Sequence, residues 1–105
     1  MTRPANPARG EARMVVAGET LVLRPSFAAL VAAEDELGAL FAVVERAAAG
    51  ELRLGEIATL FWHCIADRSE ACTRQQVGQA IAEGGLVKAT PVLRTLLAQI
   101  LQGRV

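Results

Sequence analysis

The chain has no tyrosine, one tryptophan and three phenylalanines among its 105 residues. Surfaces that stack nucleic-acid bases use several aromatic side chains, so that platform is missing. An excess of either charge is missing too, because eleven basic residues balance eleven acidic ones. Nucleic-acid binders draw much of their affinity from cations on phosphate, so neutrality speaks against DNA or RNA as the main partner. Neutrality also gives little protection against self-association, which stays open. Histidine occurs once, as His63, and cysteine twice, as Cys64 and Cys72. Their spacing is not that of a zinc site, and one histidine cannot complete a ligand set. The thiols read as a reduced intracellular pair. No apolar run approaches the length of a membrane span. The N-terminal "MTRPANPARGEARM" lacks the apolar centre of a secretion signal. The expectation is a cytoplasmic protein with no membrane, metal or cofactor.

Motifs for catalysis are missing as well. The sequence contains no G-x-S-x-G, no phosphate loop and no dinucleotide fingerprint. Glu34, Asp35 and Glu36 are consecutive, so on a helix they point around the axis, whereas a catalytic pair must converge. His63 and Cys64 are adjacent and about 100° apart on a helix, so they do not share a ligand. A non-enzyme is expected.

What is present is apolar and rich in alanine: hydrophobic residues make up 52% of the chain. The length is that of one domain. Residues 1–10, rich in Pro, Gly and Arg, read as a disordered tail, and 11–105 as a single domain. Met14–Val16 and Leu21–Leu23 are short apolar runs around "AGET", which predicts two strands joined by a tight turn at Gly18. A hairpin alone is marginal in water, so it must lie on the helices that follow. Ser26 is a helix cap, and a first helix is predicted over Phe27–Leu37, stopped at Gly38. Its stripe is Phe27, Leu30, Val31 and Leu37, with Glu34 on the same line.

A second helix is predicted over 39–49 and a third from Leu54 or Gly55. Ile57, Leu60, Phe61, Cys64 and Ile65 keep helical spacing in the third. Thr73 with Gln76 makes a capping box for a fourth helix. Thr90 as cap and Pro91 at the first position predict the start of a fifth. The architecture is α+β, mostly α: an N-terminal hairpin followed by about five short helices in a small bundle.

Two candidate sites follow. The third and fifth helices carry apolar faces wider than one packing seam needs. Phe61, Trp62, Leu97, Ile100 and Leu101 are therefore candidate partner-binding residues. Glu34 on an apolar stripe needs a partner, because a buried lone carboxylate is costly. It is expected to act as a structural pin, pairing with a cation such as Arg24 or accepting from free N–H groups at a helix start. The third and fourth helices also suggest a helix-turn-helix. However, their connection is longer than the usual turn, and the fourth helix carries one cation, Arg74.

The ordered set of motifs resembles a known family. "GEARMVVAGETLVLRPSFAALVAAEDELG" has a Gly-Glu-led hairpin and then Leu23, Arg24, Pro25, Ala29, Leu30, Glu34, Leu37 and Gly38. After it come Leu52 to Trp62, then Thr73 to Ile81, with Gly85 and Leu86 following. This order resembles the small tail-assembly chaperones of phage-like gene transfer agents over residues 10–102. Where that family has a small residue after the tryptophan, this chain has His63 and Cys64. The resemblance implies a non-catalytic chaperone that binds the tape-measure protein, with the tail-tube protein as a further partner. The alternatives are a small DNA-associated regulator using the third and fourth helices, and a structural tail component.

Overall fold

The hairpin forms where the two apolar runs fall. In the computed structural model, which describes residues 11–103, β1 (Ala12–Val16) pairs antiparallel with β2 (Glu19–Leu23). The expected tail, residues 1–10, lies outside the described residues. Val16 stands opposite Glu19, and Ala17 and Gly18 make the turn with φ of 51° and 80°. Positive φ at both turn positions suits the right-handed twist of the flanking strands. Gly18 enters that region freely, whereas the Cβ of Ala17 crowds its own backbone.

Met14 and Val16 turn toward the core, while Arg13 and Val15 are exposed. β2 is buried on both faces: Leu21 is 4%, Val22 8% and Leu23 0% exposed. A two-stranded ribbon cannot bury a strand in this way unaided. The second edge of β2 meets the chain leaving the third helix. There the Arg24 N–H donates to the Cys64 carbonyl at 2.6 Å, and the Ala66 N–H donates to the Val22 carbonyl at 2.9 Å. Leu23 and Ile65 form a bridge between these bonds. β2 is thus a middle strand, stitched to the helical layer.

Five helices follow, as the sequence predicts: α1 (Phe27–Leu37), α2 (Leu40–Ala48), α3 (Leu54–Cys64), α4 (Arg74–Gly84) and α5 (Leu86–Gln102). Ser26 caps α1, its Oγ accepting from the Ala29 N–H at 3.2 Å. The Thr73–Gln76 box forms in both directions at the head of α4. The predicted stripe of α3 is the centre of the core, with Leu60, Phe61 and Cys64 each 1% exposed. α1 and α4 flank α3, and α5 packs on α4 and β1. Where α4 crosses α3, small residues meet: a Cβ on Gly78 would lie 3.8 Å from that of Ala58.

Two expectations need correction. α1 buries little of the stripe drawn from its bulky residues, although Leu37 packs against the core. Its buried positions are Ala29 and Ala33, whereas Phe27 is 85% exposed. Alanine lets two helix backbones approach closely, and that face has turned toward α3. The fifth helix starts at Leu86, not at Thr90 and Pro91. Gly85, with φ of 86°, ends α4 and begins α5 at once, so a full turn precedes the proline. The Thr90 hydroxyl donates to the Leu86 carbonyl at 2.7 Å within that turn. Among the described residues, no helix is long and apolar enough to cross a membrane.

Replacing Ala17 by Asn, which tolerates the left-handed region, should stabilise the fold by about 0.5–1 kcal/mol and raise Tm by several degrees. Ala17→Val should lower Tm, and thermal melts of the two variants check both directions.

Candidate partner-binding groove

β1 leaves a trough between its outer edge and the junction of α4 with α5. A cavity of about 300 Å³ opens there, touching Arg13, Met14 and Val15 of β1. Its floor is apolar, built from Phe61, Ile81, Ala89 and Val92. Its charged lining residues are Arg13 and Lys88, both cations. Gly84 and Gly85 keep the wall low at the α4–α5 junction. Val15, 60% exposed, stands at the mouth. A more polar hollow of about 460 Å³ continues the trough past the hairpin turn along Gln76, Gln79 and Glu83. The first turn of α5 adds Leu86 and Val87, both exposed, beside this wall. Such a surface can hold apolar side chains non-covalently, and its Arg13 and Lys88 end favours negative charge.

The sequence-predicted contact residues are not brought together. Phe61 is 1% exposed and belongs to the core, and it reaches the outside as the floor of the cavity. The width of the α3 stripe suggests a surface face there, but the hairpin and flanking helices cover it. Trp62 is half-buried against the core. The Arg68 guanidinium lies 3.9 Å from its ring centroid and Arg74 lies 5.7 Å away. Its outer face is therefore lidded by cations. Leu97 packs against the core, Ile100 is half-buried and Leu101 is 55% exposed, and none of the three lines the trough. The trough itself was missed. Its one sequence signal is Val15, an apolar residue on the outward face of β1.

Near Trp62 a polar cluster ties three helices. Arg74 at the head of α4 donates to both carboxylate oxygens of Glu36 in α1, at 2.6 and 2.9 Å. His63 of α3 bonds the same carboxylate. The Arg74 hydrogen bonds first, and His63 second, hold the Glu36 carboxyl down at about 2. Burial pushes the Cys64 thiol up to about 12, so it is not a nucleophile near neutrality. Among the described residues, no three His, Cys, Asp or Glu side chains gather as a metal site would require.

Arg24 and Glu34 do not meet each other. Arg24 Nε donates to Glu11, a carboxylate only 2% exposed, at 2.5 Å. Glu34 is exposed, and its Oε2 accepts from the Leu40 N–H at 3.0 Å. Ala39 has no side-chain oxygen to cap α2, so the carboxylate of α1 does it. Glu56 does likewise for α3, accepting from the Arg53 N–H at 3.0 Å and pairing with Arg46 at the end of α2. The Arg53 N–H first, and Arg46 second, lower its pKa.

Glu34→Ala should cost about 0.5–1 kcal/mol, the usual value of a lost helix cap, in a thermal or urea melt. Glu36 titrates low in the fold, so its contribution is complete above its ordinary value of 4.5 and fades as pH falls toward 2. The Tm difference between the wild-type chain and Glu36→Gln should be present just above pH 4.5. It should shrink across that acid window and close at its lower end.

No curated protein and no solved structure gives a match to this chain. Its residues 9–103 match the family model described as phage tail tube protein, GTA-gp10. With nearly all of its length inside that match, the chain belongs to this family of phage and gene transfer agent tail proteins.

Proposed function

We propose that the chain is a non-catalytic tail assembly chaperone. It would hold the long tape-measure protein during tail morphogenesis, until the tail tube forms around it. The observation that carries this reading is the trough: an apolar floor open to solvent beside β1, in a chain of a tail family. A tape-measure chain waiting for its tube has apolar surface to cover, and an apolar groove covers it without chemistry. The hold must be released, which suits a contact smaller than the roughly 1,200 Å² of the smallest stable interfaces. The carboxylates support a non-enzymatic role, because Glu34, Glu36 and Glu56 are all engaged as caps or ion pairs.

A second reading has its own observation. The family description names a tail tube protein, which favours a component that remains in the tail. Regulation through DNA has less support. Arg74, the cation at the head of α4, is taken up by Glu36 and does not stand free for phosphate.

Co-expression with the tape-measure protein of the same particle separates these readings. A chaperone should raise the soluble fraction of that protein several-fold, co-purify with it, and be scarce in finished particles. Stoichiometric presence in particles, without any gain in solubility, would establish the structural component instead.

A further inference from the structure

The hairpin register settles which backbone groups of β1 are already used. Val16 and Glu19 flank a two-residue turn with positive φ at both positions, so they exchange both backbone hydrogen bonds. Met14 with Leu21, and Ala12 with Leu23, then bond in the same way. Arg13 and Val15 lie between these pairs and turn their N–H and C=O groups away from β2. No backbone hydrogen bond joins either one to another described residue on that side. Neighbouring strand residues face opposite sides of a sheet. A cavity that touches Arg13, Met14 and Val15 together reaches the strand's edge.

We propose that this edge is a strand-addition site for an extended partner segment in which apolar and acidic residues alternate. The segment pairs its main chain with Arg13 and Val15, and an apolar side chain enters the cavity over Phe61 and Ile81. Its carboxylates meet Arg13 and Lys88. The occupant follows from charge complementarity, because both charged residues lining the cavity are cations in a chain that is neutral overall. A second copy of this chain fits less well, since it would bring the same cations to the same edge. A partner helix has no free backbone groups and would leave Arg13 and Val15 unmet. The inference rests on the trough being the partner surface, and not on which tail protein supplies the segment.

The test uses the full chain, ¹⁵N-labelled, titrated with a capped peptide of alternating valine and glutamate. Two further peptides carry N-methyl groups, one on every valine amide and one on every glutamate amide. Only one of these sets faces β1 in an added strand. The Arg13 and Val15 amides should shift on binding. One methylated peptide should bind about tenfold or more weakly, the effect of losing one or two main-chain hydrogen bonds, while the other binds like the parent. Val15→Pro removes an outward N–H that the β1–β2 ladder does not use, so the fold should persist, as a melt will verify. That variant should lose binding to a similar extent, and Lys88→Glu should weaken it several-fold.

Equal binding by both methylated peptides, or full binding by a folded Val15→Pro chain, overturns strand addition in favour of side-chain docking. Absence of binding, or dimerisation of the free chain through this edge, overturns it outright. Co-expression keeps the two readings apart. If Val15→Pro still solubilises the tape-measure protein, strand addition fails and the chaperone reading stands. If the wild-type chain binds peptide but does not solubilise that protein, the chaperone reading fails alone.

Discussion

The seam between β2 and the chain leaving α3 is the constraint on which the rest of the fold depends. Two backbone hydrogen bonds, from Arg24 to Cys64 and from Ala66 to Val22, close an edge that a hairpin would otherwise leave open. With that edge closed, Leu21, Val22 and Leu23 can all be buried. An isolated hairpin is marginal, so its persistence depends on this attachment. The seam also fixes α3 against the hairpin, and α3 in turn is the surface on which α1 and α4 lie. One edge of the sheet is closed in this way, and among the described residues no backbone bond closes the other. The asymmetry of the molecule, a stitched side and an open side, begins here.

Around this core, three carboxylates tie helix ends together. Glu34 of α1 caps α2, Glu56 joins the end of α2 to the start of α3, and Glu36 draws α4 toward α1. Each tie is at least partly exposed, so none contributes much stability alone. Their value is geometric. The buried face of α1 is alanine, which brings close approach but little area and few interlocking shapes. Directional bonds at the helix ends set the angles that such a smooth contact leaves undetermined.

The elements were legible in the sequence because their signals are local. Ser26, Gly38, the Thr73–Gln76 box and the α3 stripe all mark features found in place. The errors came where local and tertiary preferences compete. Thr90 and Pro91 form a good helix start in isolation, yet Gly85 already turns the chain into α5. Phe27 and Val31 outweigh alanine on any hydrophobicity count, yet closeness to α3 selected Ala29 and Ala33. The trough was illegible for a different reason. It is made from β1, α3, α4 and α5, and only the packing of distant segments brings Arg13, Phe61 and Lys88 to one place. The sequence marks Glu34 as needing a partner, but nothing in the spacing tells Arg24 apart from the Leu40 amide.

Pro91 has a mechanical consequence. It lacks the N–H that would tie it to the Val87 carbonyl, so the ladder of α5 is broken one turn from its start. The turn from Leu86 to Thr90 is hinged at both ends, by Gly85 before it and by the missing bond after it. Opening it costs less free energy than opening the helix beyond. Lys88 and Ala89, which line the trough, ride on that turn. The trough therefore has one side on a strand tied into the core and one side on the turn where the bond ladder of α5 is weakest.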